Sequence, residues 1–148
     1  MSFTIKMNPE LIHSVLQSGV GRIKYEFGGK VKTLLQSLPN VKKLDCSGFI
    51  RMLVFKTTPD HLEIPDGSWN QREWCKSMGF KETLYEHCLL HDGRVRLCFL
   101  PTECNPNHVW ACWNGLTVEC CSRKGVTQQL WTVYRKRKPQ CWVLTDPL

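Results

Sequence analysis

Residue 80 divides the sequence into two textures, and that division limits the fold more than any other feature. Before it, apolar residues recur at helical spacing. After it come short runs rich in branched and aromatic side chains, "ETLYEHCLL", "RVRLCFL", "HVWACW", "LTVECC", "QLWTVY" and "QCWVL", separated by turn residues. Helices followed by strands predict an α+β domain. The 148 residues match the size of one domain, so 1–148 is read as a single unit, able to bury roughly 68–70% of its unfolded surface.

In the first half, "NPELIHSVLQSG" predicts a helix with Asn8 as N-cap, Pro9 at the first helical position, Leu11, Ile12, Val15 and Leu16 on one face, and Gly19 at its end. Gly28 and Gly29 mark a turn where backbone passes close to another segment. "VKTLLQSLPN" reads as a short helical turn closed by Pro39. From Asp45, the spacing of Phe49, Ile50, Leu53 and Val54 predicts a buried helix to about Lys56. A third helix is predicted over "SWNQREWCKSMG", with Ser68 as N-cap, Gln71 completing a capping box and Gly79 as terminator.

Composition excludes several classes. No apolar run approaches a membrane span, and "MSFTIKMNPELIH" lacks the apolar stretch and cleavage site of a secretory signal. The expectation is a protein made in the cytoplasm, without a membrane span, that reaches any outside target by signal-independent delivery. Nine cysteines, an odd number, sit mostly among apolar residues, which suits reduced thiols in a reducing compartment. The net charge of +7 favours an anionic partner. Its densest cluster, "YRKRKPQ", reads as a solvated turn between two strands.

Cys46 falls in the first turn of the second predicted helix, where the positive end of the macrodipole favours a thiolate and unpaired N–H groups can receive an oxyanion. Asp45 opposes this by its charge, so a nearby imidazolium is needed. The hairpin "HVWACWNGLTVECC" supplies one. Its Asn114-Gly115 turn fixes a register in which Trp113 faces Leu116, Trp110 faces Glu119 and His108 faces Cys121. His108, Trp110, Cys112, Glu119 and Cys121 then share a face, with Glu119 a diagonal neighbour of His108 at roughly 7–8 Å between backbones. A carboxylate there can orient the ring so that its other nitrogen faces a thiol.

The blocks "KYEFGGK", "LDCSGFIRMLV" and "NHVWACWNGLTVECCSRKG" resemble, in order and spacing, those of the NlpC-type cell wall cysteine peptidases, a papain-like family. The resemblance implies a papain-like α+β fold with the nucleophile at a helix N-terminus packed against an antiparallel sheet. It implies that Cys46 attacks an amide of a peptidoglycan stem peptide, commonly the bond from D-glutamate to the diamino acid. His108 would be base and then acid, and a third polar residue would orient the ring. That third position is commonly histidine and is Glu119 here. Tyr25 would sit near the oxyanion or substrate amine, Asp45 and Ser47 would line the adjacent subsite, and Trp110, where relatives often have glycine, would crowd it. The layout is similar to type VI secretion amidase effectors and phage-associated wall peptidases. It implies a monomer without cofactor, metal or specific nucleic acid, with a delivery machine or immunity protein as partner.

Three other readings stand beside it. One is a zinc-stabilised module using His87, Cys88, His91, Cys104 and His108, which lacks the paired Cys-x-x-Cys spacing of such modules. A second is an inactive basic binder in which Arg135 to Lys138 and the tryptophans meet an anionic surface. The third is acyl transfer by a similar Cys/His pair.

Overall fold

The computed structural model describes residues 3–29, 34–100 and 108–147. Asn8 caps α1 (Pro9–Ser18), its Oδ1 accepting from the N–H groups of Glu10 and Leu11, and Gly19 ends it. The helix buries Ile12, Val15 and Leu16, while Leu11, expected on that face, is exposed. Strands β1 (Lys24–Tyr25) and β2 (Lys43–Leu44) pair in parallel and lead the chain into α2 (Cys46–Thr57).

α2 lies against α1, α3 (Ser68–Ser77) and the main sheet. Phe49, Ile50, Met52, Leu53 and Val54 are at most 1% exposed, so the helix is apolar nearly all round, as a buried helix must be. Each such side chain stabilises the fold by roughly 1.5–3 kcal/mol. α3 begins one residue past the glycine that caps it, Gly67. The expected capping box from Ser68 does not form. Gln71 is buried instead, and its Nε2 donates to the carbonyls of Ser47 and Pro65, because tying α3 to the start of α2 satisfies two buried acceptors.

The main sheet is antiparallel throughout, in the order β3 (Lys81–Thr83), β8 (Gln140–Val143), β4 (Val95–Phe99), β5 (Val109–Trp113), β6 (Leu116–Cys121), β7 (Gly125–Gln129). Asn114 and Gly115 both take positive φ, 47° and 79°, the type I′ turn that matches strand twist, and Trp113 pairs with Leu116 as expected.

Both faces of the sheet are covered. Val95, Leu97, Phe99, Val109, Ala111, Val118 and Cys120 turn toward α2. Cys98, Trp110, Cys112 and Cys141 turn the other way, into a second apolar cluster with Tyr85, Cys88 and Leu100, against which Trp131 and Tyr134 pack. The segments "ETLYEHCLL" and "QLWTVY", expected as strands, supply that cover as 3₁₀ turns, Tyr85–Leu89 and Trp131–Arg137. Tyr85 and Cys88, like Trp131 and Tyr134, stand three residues apart and so fall on one side of a three-residue turn. Of "VKTLLQSLPN", the described part contains a 3₁₀ turn at Leu38–Asn40, which includes Pro39. Residues 31–33 lie outside the described residues. No described helix is long and apolar enough to cross a membrane.

Candidate active site

Cys46 is the first residue of α2. Asp45 holds the helix start: its Oδ1 accepts from the Gly48 N–H at 2.7 Å and from Ser47 Oγ at 3.3 Å. The Gly28-Gly29 turn packs against the same place, with the Asp45 N–H donating to the Gly29 carbonyl at 3.0 Å. A Cβ at Gly48 would lie 2.9 Å from that carbonyl oxygen, and one at Gly29 would lie 2.7 Å from the Glu26 carbonyl oxygen. These are the close approaches that the glycine pair anticipates.

His108 precedes β5, its carbonyl accepting from the Leu100 N–H just past β4. Its Nε2 lies 2.8 Å from Glu119 Oε2, and its side chain is only 13% exposed. Cys46 lines the same cleft and favours charge on the imidazole. With Nε2 engaged by Glu119, Nδ1 is the nitrogen left to face the sulfur. Cys46, His108 and Glu119, drawn from separate parts of the chain, therefore meet at one site.

Glu119 is 1% exposed and has two further partners. The Tyr134 hydroxyl donates to Oε2 and Gln129 Nε2 donates to Oε1 at 3.2 Å. Burial alone pushes this carboxyl up. The bonds from His108, Tyr134 and Gln129 outweigh it and hold Glu119 below the usual range. Burial likewise opposes charge on His108, but the nearby Cys46 sulfur and the bond to Glu119 prevail and hold its pKa at about 9. The charged imidazole is the favoured form at neutral pH.

Tyr134 and Gln129 carry no local sequence signal; both reach Glu119 through pairings that only the folded sheet creates. Trp110, expected to crowd the substrate, is fully buried. It stacks under His108 at 5.5 Å and lies 4.3 Å from the Tyr134 ring, so it sets the tilt of the imidazole from behind. Asp45 and Ser47, expected along a subsite, are both buried, at 9% and 3% exposure.

Tyr25, Cys46, His108, Tyr134, Leu100, Cys121, Ser122 and Arg137 line a cleft of about 230 Å³. A larger groove of about 810 Å³ lies elsewhere, lined by Met7, Asn8, Lys56 and Thr145 among others, and no cysteine is among the described residues that line it. Chemistry, not volume, selects the smaller one. The basic stretch Arg135 to Lys138 is solvent-exposed between β7 and β8, as expected, and Arg137 reaches the cleft rim. Of the other zinc ligands considered from sequence, His87 Nδ1 sits 2.6 Å from Thr83 Oγ1, and Cys104 lies outside the described residues.

No family model and no curated protein matches the sequence. Among solved structures, the chain is similar to the P60 domain of an antigen from M. avium subspecies paratuberculosis, with a TM-score of 0.61 at 20% identity over 95% of each chain. At that identity the likeness is one of fold, and the chain has the papain-like α+β fold that its sequence blocks implied.

Proposed function

We propose that this chain is a cysteine amidase that cuts peptidoglycan stem peptides, at the bond from the γ-carboxyl of D-glutamate to the diamino acid. One observation carries the reading: a thiol at a helix N-terminus shares a cleft with an imidazole whose Nε2 is held by a buried carboxylate. The Cys46 sulfur attacks the amide carbon, forming the C–S bond and placing the oxyanion over the first turn of α2. His108 gives its proton to the amide nitrogen as the C–N bond breaks. Water then attacks the thioester, passing one proton to His108, and the C–S bond breaks to release the acid and restore the Cys46 thiolate. Glu119 keeps the ring oriented through both halves.

Stem peptides carry free carboxylates, and Arg137 at the cleft together with the net charge of +7 supports an anionic substrate. Tyr25 lines the same cleft, where it would meet the oxyanion or the substrate amine. Digestion of defined muropeptides followed by mass spectrometry tests the reading. A new diamino-acid amino terminus is expected, absent with Cys46→Ala. Intact muropeptides after prolonged incubation, or cleavage that survives Cys46→Ala, would sink it.

A further inference from the structure

On the sheet face turned away from α2, four cysteines from four elements converge. Cys98 of β4 is the hub: its sulfur lies 3.5 Å from Cys88, 3.8 Å from Cys112 and 3.1 Å from Cys141. The sulfurs of Cys88, Cys98 and Cys112 all lie within 4.8 Å of one another, and Cys141 touches this trio through Cys98. All four are at most 2% exposed. We propose that Cys88, Cys98, Cys112 and Cys141 form a closed four-thiolate site for one thiophilic divalent cation, zinc.

Geometry supports this first. A tetrahedral ion with metal–sulfur bonds of about 2.3 Å has sulfur–sulfur edges of about 3.8 Å, so Cys88, Cys98 and Cys112 already stand near three corners, and rotation of the Cys141 side chain, whose sulfur lies 3.1 Å from Cys98, supplies the fourth. Reduced cysteine packed as a small hydrophobe needs no such convergence on one point. Four sulfur ligands in a buried tetrahedron select zinc over oxygen-seeking cations, and the lack of solvent access marks a structural site with no open position.

A second observation points into the same place. Arg96, 2% exposed, shares the face with Cys98 and stands opposite Cys112 in the ladder. Its two terminal nitrogens bond Asp92 at 3.1 Å and 2.8 Å, but its Nε, buried, has no partner. A guanidinium buried within electrostatic reach of Cys88 and Cys112 is the counter-charge that four thiolates around one dication require, and a thiolate sulfur is the missing acceptor for Nε. Cation binding ionises the thiols and releases their protons.

None of the four lines the cleft, so metal content is read independently of hydrolysis. The full chain, freed of any affinity tag and purified under reductant, is expected to hold about one zinc per chain by elemental analysis. Chelator-stripped protein should melt at a lower temperature, recover on adding zinc, and with cobalt(II) give tetrahedral thiolate charge-transfer absorption. Cys112→Ser should lose the metal, while Cys75→Ser, at a buried cysteine outside the cluster, keeps it. Metal below about 0.1 per chain together with no cobalt absorption in the wild-type protein overturns the proposal, whatever the variants do. Intact mass showing disulfides among these cysteines overturns it too, and stoichiometric iron overturns the choice of zinc.

Discussion

His108 and Glu119 are bonded at 2.8 Å across a diagonal of the β5–β6 hairpin. The ladder that pairs Ala111 with Val118, continued outward, sets His108 opposite Cys121, so the partner two residues back must reach along the strand. Glutamate is long enough to do so. Its carboxylate then accepts from three neighbours at once, which fixes its position and, through it, the ring.

From this arrangement, Cys46→Ala and His108→Ala should each lower kcat by roughly 10⁴-fold or more. Glu119→Gln should lower it by roughly 10²-fold, less than the 10⁴-fold seen when an orienting carboxylate's loss reverses the imidazole tautomer. An amide oxygen at the Oε2 position still accepts from His108 and Tyr134, while Gln129 turns its own oxygen toward the new NH₂. Steady-state kinetics on one muropeptide measures all three, and equal losses would show Glu119 to be more than an orienting group.

Activity should fall along an alkaline limb near pH 9, where His108 loses the proton it gives to the leaving amine. Glu119→Gln removes the carboxylate charge, so that limb should move to lower pH. Stability follows the same groups. His108 has a folded pKa raised above its unfolded value of 6.5, so its contribution is complete below that value and lost as pH climbs through about 9. Glu119 is depressed, so its contribution is present above 4.5 and lost as pH falls through its folded value. Thermal melts between pH 3 and about 10 should therefore peak in the mildly acidic window between 4.5 and 6.5, and His108→Gln should flatten the alkaline side.

Gly48→Ala should destabilise despite the better helix former. Propensity favours alanine by about 1 kcal/mol, but a Cβ 2.9 Å from both the Gly29 carbonyl oxygen and Asp45 Oδ1 forces backbone or cap to move, costing about 1–3 kcal/mol. Urea unfolding gives the balance. Because the displaced atoms hold the first turn of α2, thiol reactivity at Cys46 should change with it.

In the native protein, iodoacetamide near pH 7 should mark Cys46 ahead of the six cysteines that are buried. Cys121 is also partly exposed and lines the cleft, so peptide mapping must separate the two. His108→Ala should slow labelling at Cys46 and leave Cys121 little changed.

Asp45→Ala should cost about 1 kcal/mol by removing the cap on α2, whereas Asp45→Asn should recover most of it, since an amide oxygen can accept from Gly48. Chemical denaturation of the two variants side by side measures the difference.

Local chemistry wrote the legible parts of this fold. Asn8 with Pro9 marks the start of α1, Asp45 that of α2, and Asn114-Gly115 the hairpin register that brings Glu119 to His108. Legibility failed where a residue's partner is distant in sequence. Gln71 looked like a capping residue but bonds the Ser47 carbonyl, 24 residues away. Tyr134 looked like part of a strand, but its hydroxyl donates to Glu119 from a 3₁₀ turn. Trp110 alternates with residues that face α2, and only the second apolar cluster reveals that its side of the strand is also interior. The cysteines misled for the same reason. Spacing along the chain separates Cys98 from Cys141 by 43 residues, while the pairing of β4 with β8 sets them opposite one another.

The doubly covered sheet makes β5 a party wall. Val109 and Ala111 belong to one room and Trp110 and Cys112 to the other, so the strand that ends beside His108 has no loose side on which to breathe. Amide protons along it should exchange only when the whole molecule opens. The imidazole thus inherits the slow clock of global unfolding, even though it stands at the lip of an open cleft.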